Sequence, residues 1–245
     1  MSKFLVIAAL HGDEKIGVDV MKKIEKELNP KQYGYDWVVG NPLAYNKNIR
    51  YIDFDLNRTA PGKPNSKIYE EKRAHYLTNL SKKYSFVLDI HGTVADSGIV
   101  TIITYPTLAN LTLASLVKAD KNVIWYSRKS ANSGPVSQHT YCPAIEIECG
   151  PKGNPITLPK LHIIIKSFIK EADLTLKEDI KSIHDEEFYT VYGKREGVHN
   201  SKVKDFKLYH DGKETYYPFL SNQYPDILCY KTKKFDLKQT LIYDS

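Results

Sequence analysis

The sequence predicts an α/β protein built on a mainly parallel sheet and followed by a smaller β-rich segment. Three observations carry that expectation. Apolar runs stop abruptly at polar residues, as strands buried on both faces do, and residues spaced by four mark an amphipathic helix after the first of them. Beyond about residue 175, short Tyr-, Phe- and Lys-rich runs replace both patterns.

Residues 4–10 form an apolar run that reads as a buried strand and ends at His11-Gly12. Ile16, Val20, Ile24 and Leu28 then make one helical stripe, so His11 and Glu14 fall in a strand-to-helix turn. Open α/β sheets bind ligands at such turns, outside the carboxyl ends of the strands. Asn29-Pro30 breaks the helix, and residues 35–39 read as a second strand closed by Gly40-Asn41-Pro42. Residues 48–62 have no period and read as a long loop; their aromatic and aliphatic side chains argue for a functional loop over disorder. A helix over 67–83, strands over 84–91 and 99–105, a helix over 107–119 and a short strand over 122–126 follow. Residues 128–142 read as a loop, 144–151 as a strand and 158–172 as an amphipathic helix. Asp211-Gly212, between 206–209 and 214–219, signals a hairpin. The change of character places a catalytic domain at 1–174 and a β-rich domain at 175–245.

A chain of 245 residues, 42% hydrophobic and 26% charged, has the composition of an ordinary globular protein. No apolar run approaches the roughly 20 residues that span a bilayer, so no membrane partner and a cytoplasmic location are expected. Cys142, Cys149 and Cys229 show no Cys-x-x-Cys spacing, which argues against a disulfide framework and against a thiolate metal site. The net charge of +6 comes mostly from dispersed lysines, a solvated surface and not a nucleic-acid stripe. Arg50 and Arg58 stand apart because they share one loop and a guanidinium suits bidentate carboxylate binding.

The spacing His11-x-x-Glu14 lets an imidazole and a carboxylate converge on one cation, although the motif alone is weak. His91 closes a second apolar strand in the matching place, which favours a ligand over a merely satisfied histidine. Asp89 lies two residues earlier on the same face, where it can orient the metal-binding groups. In 144–151 the period of two sends Ile145 and Ile147 to one face and Glu146 and Glu148 to the other. Buried carboxylates in a strand need partners or a task, and Glu148, at the strand end, can face the crevice of His11 and His91.

Taken in order, His-Gly-Asp-Glu (11–14), Arg-Tyr-Ile-Asp-Phe-Asp-Leu-Asn-Arg (50–58), Asp-Ile-His-Gly-Thr (89–93) and Glu-Cys-Gly-Pro (148–151) resemble the succinylglutamate desuccinylase/aspartoacylase family of the zinc carboxypeptidase superfamily. The resemblance covers residues 3 to about 172 well, and the C-terminal part loosely. It implies a three-layer α/β/α domain with a mixed sheet and a small β domain leaning over the site as a lid. It also implies one Zn2+ per chain held by His11, Glu14 and His91, with the fourth position left to water. Glu148 would be the general base and Arg50 the oxyanion stabiliser. Asn57 and Arg58 would grip a substrate carboxylate, Asp55 would hold their loop, and Tyr224 would reach in from the C-terminal part. Glu146 is not required by the family pattern and is expected to play a structural role.

The function so implied is a zinc-dependent amidohydrolase that deacylates an N-acyl amino acid or a related small carboxylate-bearing amide. A metallocarboxypeptidase acting on peptides and a non-catalytic metal- or anion-binding protein are the rivals. One departure bears on substrate choice. Family members place an arginine shortly before the strand of the catalytic glutamate, whereas residues 129–147 contain none and Gln138 stands at the corresponding place. A second pocket tolerant of neutral side chains is therefore expected, unless Arg128, Lys129 or a lysine of the C-terminal domain supplies the charge. The sequence leaves open the acyl group, the physiological metal and the oligomeric state, a homodimer being one option.

Overall fold

The computed structural model describes residues 3–126, 133–171, 183 and 186–236. Ten strands, β1 (Phe4–Ala8), β2 (Tyr35–Val39), β3 (Val87–Gly92), β4 (Ile99–Ile103), β5 (Lys121–Ile124), β6 (Ala144–Cys149), β7 (Phe188–Glu196), β8 (Tyr209–His210), β9 (Thr215–Phe219) and β10 (Ile227–Phe235), form one sheet. Their order is β2-β1-β3-β6-β4-β5-β7-β10-β9-β8. β2, β1, β3 and β6 are parallel, β4 runs antiparallel to β6, and β5 and β7 run parallel to β4, so the sheet is mixed.

Helices cover both faces. Helices α1 (Ile16–Glu27), α5 (Leu108–Val117) and α7 (Thr157–Glu171) pack Val20, Ile24, Leu113, Val117, Leu161 and Ile165 onto Phe4, Val6, Leu88, Ile90, Ile145 and Ile147. On the other face, Ala74 and Leu77 of α4 (Tyr69–Leu80) and Val136 of α6 (Val136–His139) cover Leu5, Ile7, Val87 and Ala144. The assignment of alternate strand residues to opposite layers follows from the two-residue period of a strand.

Three short helices stand where the sequence reads breaks and loops: α2 (Pro30–Tyr33), α3 (Pro42–Lys47) and α6. Proline is tolerated in the first turn of a helix, where its missing N–H has no intrahelical partner, so the same residues that stop one element start the next. Asn29 and Asn41 cap α2 and α3 by accepting from the Lys31 and Ala44 amides. The loop over 48–62 contains a 3₁₀ turn, Leu56–Arg58, capped by Asp55, which accepts from the Asn57 amide at 2.9 Å.

The C-terminal strands continue the sheet, because β7 pairs with β5. The expected boundary at 174/175 lies outside the described residues. The Asp211-Gly212 hairpin is present: Tyr209 pairs with Tyr216, and Asp211 accepts from the Lys213 and Glu214 amides. Between β9 and β10 the chain turns through Leu220 to Tyr224 and returns to the carboxyl end of β3. Among the described residues no helix is long and apolar enough to cross a membrane.

Candidate active site

Register builds the site. β3 and β6 pair Asp89 with Glu146 and His91 with Glu148, so these four polar side chains share one face at the carboxyl end of the sheet. The turn after β1 brings His11 and Glu14 beside them. That turn presses against α3 so closely that a Cβ on Gly12 would lie 2.1 Å from the Ala44 carbonyl carbon, which explains the glycine.

Glu14 is the hub. Its Oε1 lies 3.0 Å from His11 Nδ1 and accepts from Arg50 Nη1 at 3.1 Å, and its Oε2 accepts from the Gly92 amide at 3.0 Å and lies 3.1 Å from His91 Nδ1. Donor atoms of His11, Glu14 and His91 all fall within 4.8 Å of one another, and all three residues are buried. Two imidazoles and a carboxylate converging in a cavity fit the nitrogen and oxygen donor set of a zinc-type cation. Asp89 supports that fit from behind. Its carboxylate is buried with no hydrogen-bond partner among the described residues, and Oδ2 sits 3.1 Å from His91 Nε2, though out of line for a hydrogen bond.

The charges interlock. Burial pulls the His11 and His91 imidazoles down, but Glu14 with Asp55, and Asp89 with Glu14, outweigh it and hold both above the ordinary histidine value. Glu14 is held well below the usual carboxylate range, against its burial, by the two histidines. Glu148 goes the other way: burial within the protein, then the nearby Glu14 carboxylate, push it up to about 7. One carboxylate of the site is thus kept ionised and its neighbour poised near neutrality, the separation that acid–base chemistry uses.

The loop over 50–58 is fixed from outside the site. Glu70, fully buried at the start of α4, accepts from the Ile52, Asp53 and Phe54 amides at 2.7, 3.0 and 3.3 Å and from Asn41 Nδ2 at 3.0 Å. Asp53 Oδ2 in turn accepts from the Tyr69 amide, closing the exchange between loop and helix. Asp55 then joins Arg50 Nη2 at 3.3 Å and His11 Nε2 at 2.9 Å. Sequence reasoning misses Glu70; its only local signal is an acid in the first turn of a helix that follows a long loop.

His11, Glu14, His91 and Glu146 line a cavity of about 360 Å3, into which Arg50, Asn57, Arg58, Glu148 and Tyr224 also project. Asn57 is engaged at both ends of its amide, donating to Glu146 Oε1 at 3.2 Å and accepting from the Val136 amide at 3.1 Å, while Arg58 Nη1 donates to the Asn57 carbonyl. Gln138 is not brought into the cavity. The short helix α6 turns it into the protein, 5% exposed, where Nε2 donates to the Thr104 carbonyl at 2.8 Å. Arg128 and Lys129 lie outside the described residues. The cavity has further walls that the sequence does not single out, Trp125, Leu220 and Gln223. Gln223 Oε1 accepts from Thr93 Oγ1 and from the Val94 amide, pinning the turn that carries Tyr224 to the end of β3.

The sequence profile of the succinylglutamate desuccinylase/aspartoacylase catalytic domain matches residues 1–163. A probable aspartoacylase of Prochlorococcus marinus (strain AS9601) is 28% identical over 191 residues, 71% of this chain and 63% of that protein, so the match spans less than two thirds of the relative's length. An N-acyl-aromatic-L-amino acid amidohydrolase (carboxylate-forming) of Xenopus laevis is 32% identical over 114 residues, 40% of this chain and 36% of that one. The crystal structure of murine aminoacylase 3 superposes with a TM-score of 0.75 at 18% identity, covering 96% of this chain and 95% of that chain. A succinylglutamate desuccinylase/aspartoacylase from Rhodobacter sphaeroides superposes at 0.72 with 15% identity, covering 96% and 86%. At such identities the structural likeness shows the fold, and the profile match over more than half the residues shows the lineage: the chain belongs to the succinylglutamate desuccinylase/aspartoacylase family.

Proposed function

We propose that this chain is a zinc-dependent amidohydrolase that removes the acyl group from an N-acyl amino acid or a related small carboxylate-bearing amide. The observation that supports this most is the pairing of His91 with Glu148 across β3 and β6, on the face where His11 and Glu14 arrive. It puts a candidate ligand set and a carboxylate poised near pH 7 in one cavity.

A zinc held by His11, Glu14 and His91 supplies Lewis acidity there. The protein's own groups do the rest. Glu148 takes a proton from the attacking water and passes it to the leaving nitrogen, as the new C–O bond forms and the amide C–N bond breaks. Arg50 is held by Glu14 and Asp55, so its remaining N–H groups stay fixed at the cavity wall for the developing oxyanion. Arg58, anchored on the Asn57 carbonyl, takes the substrate carboxylate, while Asn57 keeps that turn in place. The C-terminal strands act as the lid, with Tyr224 closing the cavity.

The test is a panel of N-acyl amino acids and short peptides given to the zinc-loaded protein, with released amine as readout. Release from the N-acyl amino acids, abolished by a chelator, is expected. Release from peptides alone would make the chain a carboxypeptidase, and no release from a fully loaded protein would refute catalysis.

A further inference from the structure

Glu146 is a buried carboxylate that the reaction above does not use. It is 6% exposed and lines the cavity. Asn57 Nδ2 (3.2 Å) and Ser137 Oγ (2.9 Å) both donate to the same oxygen, Oε1, so Oε2 takes no hydrogen bond from the described residues. Beside it the wall is apolar: Ile102 is its register partner on β4, and Trp125, packed on Tyr230 with centroids 4.3 Å apart, lines the same space with Leu220.

Cations are scarce among the described residues of this lining. Apart from the imidazoles, the described lining residues include Arg50 and Arg58 as the cations, and Arg50 is already paired with Glu14 and Asp55. One substrate carboxylate can therefore be met by Arg58. A second would enter a space whose described lining also carries the Glu146 and Glu148 carboxylates, and like charges about 6 to 12 Å apart at an effective dielectric near 20 change binding on the order of 10- to 100-fold. A carboxylate oxygen with spare acceptor capacity instead favours an N–H donor.

We propose that Glu146 is a specificity-determining residue that restricts the substrate to amides with a single carboxylate, the other substituent being apolar or amine-bearing and not acidic. The kinetic form of this inference rests on the amidohydrolase reading; its binding form does not.

Glu146→Gln separates the two. The glutamine keeps a carbonyl oxygen for Asn57 and Ser137 and replaces only the charge. kcat/KM is measured for N-acetylleucine, Nα-acetyllysine and N-acetylaspartate in wild type and variant. Calorimetric affinities for the same three compounds are taken in a Glu148→Gln background, with and without the second substitution. The wild type should prefer the leucine and lysine compounds to the aspartate one by about 10-fold or more, mainly through KM, and Glu146→Gln should shrink that preference by about 10-fold. A purely structural role for Glu146 would lower all three together and leave the ratio unchanged. An unchanged ratio in kinetics or in binding, a wild-type preference for N-acetylaspartate, or binding of none of the three overturns the proposal. Binding with the expected ratio but no turnover in any protein supports Glu146 and refutes the hydrolase reading.

Discussion

Along β3 and β6 alternate residues leave one sheet on opposite sides, and the two sides meet different surroundings. Leu88, Ile90, Ile145 and Ile147 are sealed under α1, α5 and α7. Asp89, His91, Glu146 and Glu148 point to the side of α4 and α6, where the cover opens into the cavity. The backbone and pairing are shared, so the difference comes from what each side chain meets. Burying an aliphatic side chain contributes about 1.5–3 kcal/mol, and several in one layer offset the cost of holding close carboxylates and imidazoles in the other. The apolar face supplies rigidity, and the polar face uses it to keep reactive groups at fixed separations.

The largest effect expected comes from exchanging the chemistry of the two faces. Ile147→Asp places an unpaired carboxylate in the closed layer and should cost several kcal/mol, enough to abolish the cooperative melt followed by circular dichroism. A folded Ile147→Asp protein would show that this face is not the sealed one.

On the open face the reverse is expected. Glu148→Gln should lower turnover by about 10² to 10⁴ while leaving the fold and metal content in place. Steady-state kinetics together with metal analysis check it, and a variant with more than a tenth of wild-type kcat would remove Glu148 as the base.

A smaller effect should come from outside the cavity. Glu70→Ala leaves three backbone amides and Asn41 without their acceptor, at about 1–3 kcal/mol for each donor that stays buried. Chemical denaturation should register the loss, and kcat should fall because Arg50 and Asp55 lose their fixed loop. Glu70→Gln, which keeps one acceptor oxygen, should recover part of both.

The smallest effect is a pH dependence in the metal-free protein. Glu148 titrates at about 7 in the folded state against an ordinary value of 4.5, so the folded state holds the extra proton between those values. Stability therefore falls as pH rises through that window. Glu148→Gln lacks this loss, so its melting temperature relative to wild type should climb between about pH 5 and about pH 8. A flat difference would mean that Glu148 is not raised.

On the polar face His91 and Glu148 are legible because each lies at the end of a strand, and a period of two puts Asp89 and Glu146 on the same side. His91 and Glu148 needed only the ends of two strands. Glu70 was not legible, because its acceptors' work depends on donors from residue 41 and from 52–54, contacts that no local spacing encodes. Trp125, Leu220 and Gln223 were hidden for a related reason: they reach the cavity through the pairing of β5 with β7 and the turn after β9, which are long-range events. Gln138 shows the limit of reading position from a motif. Its place before the Glu148 strand suggested the cavity, and one turn of helix sends it elsewhere. The Pro-led helices α2 and α3 are hidden in the sequence because a proline that ends one element also suits the start of another.

His11 and Glu14 from the turn after β1, with His91 from the polar face, are expected to hold one metal ion, and metal content per chain is the direct test. Purified wild type should carry about one zinc, and His91→Ala, folded by circular dichroism, should carry almost none. Full occupancy in His91→Ala, or a wild type that takes up no zinc on reconstitution, would contradict the account.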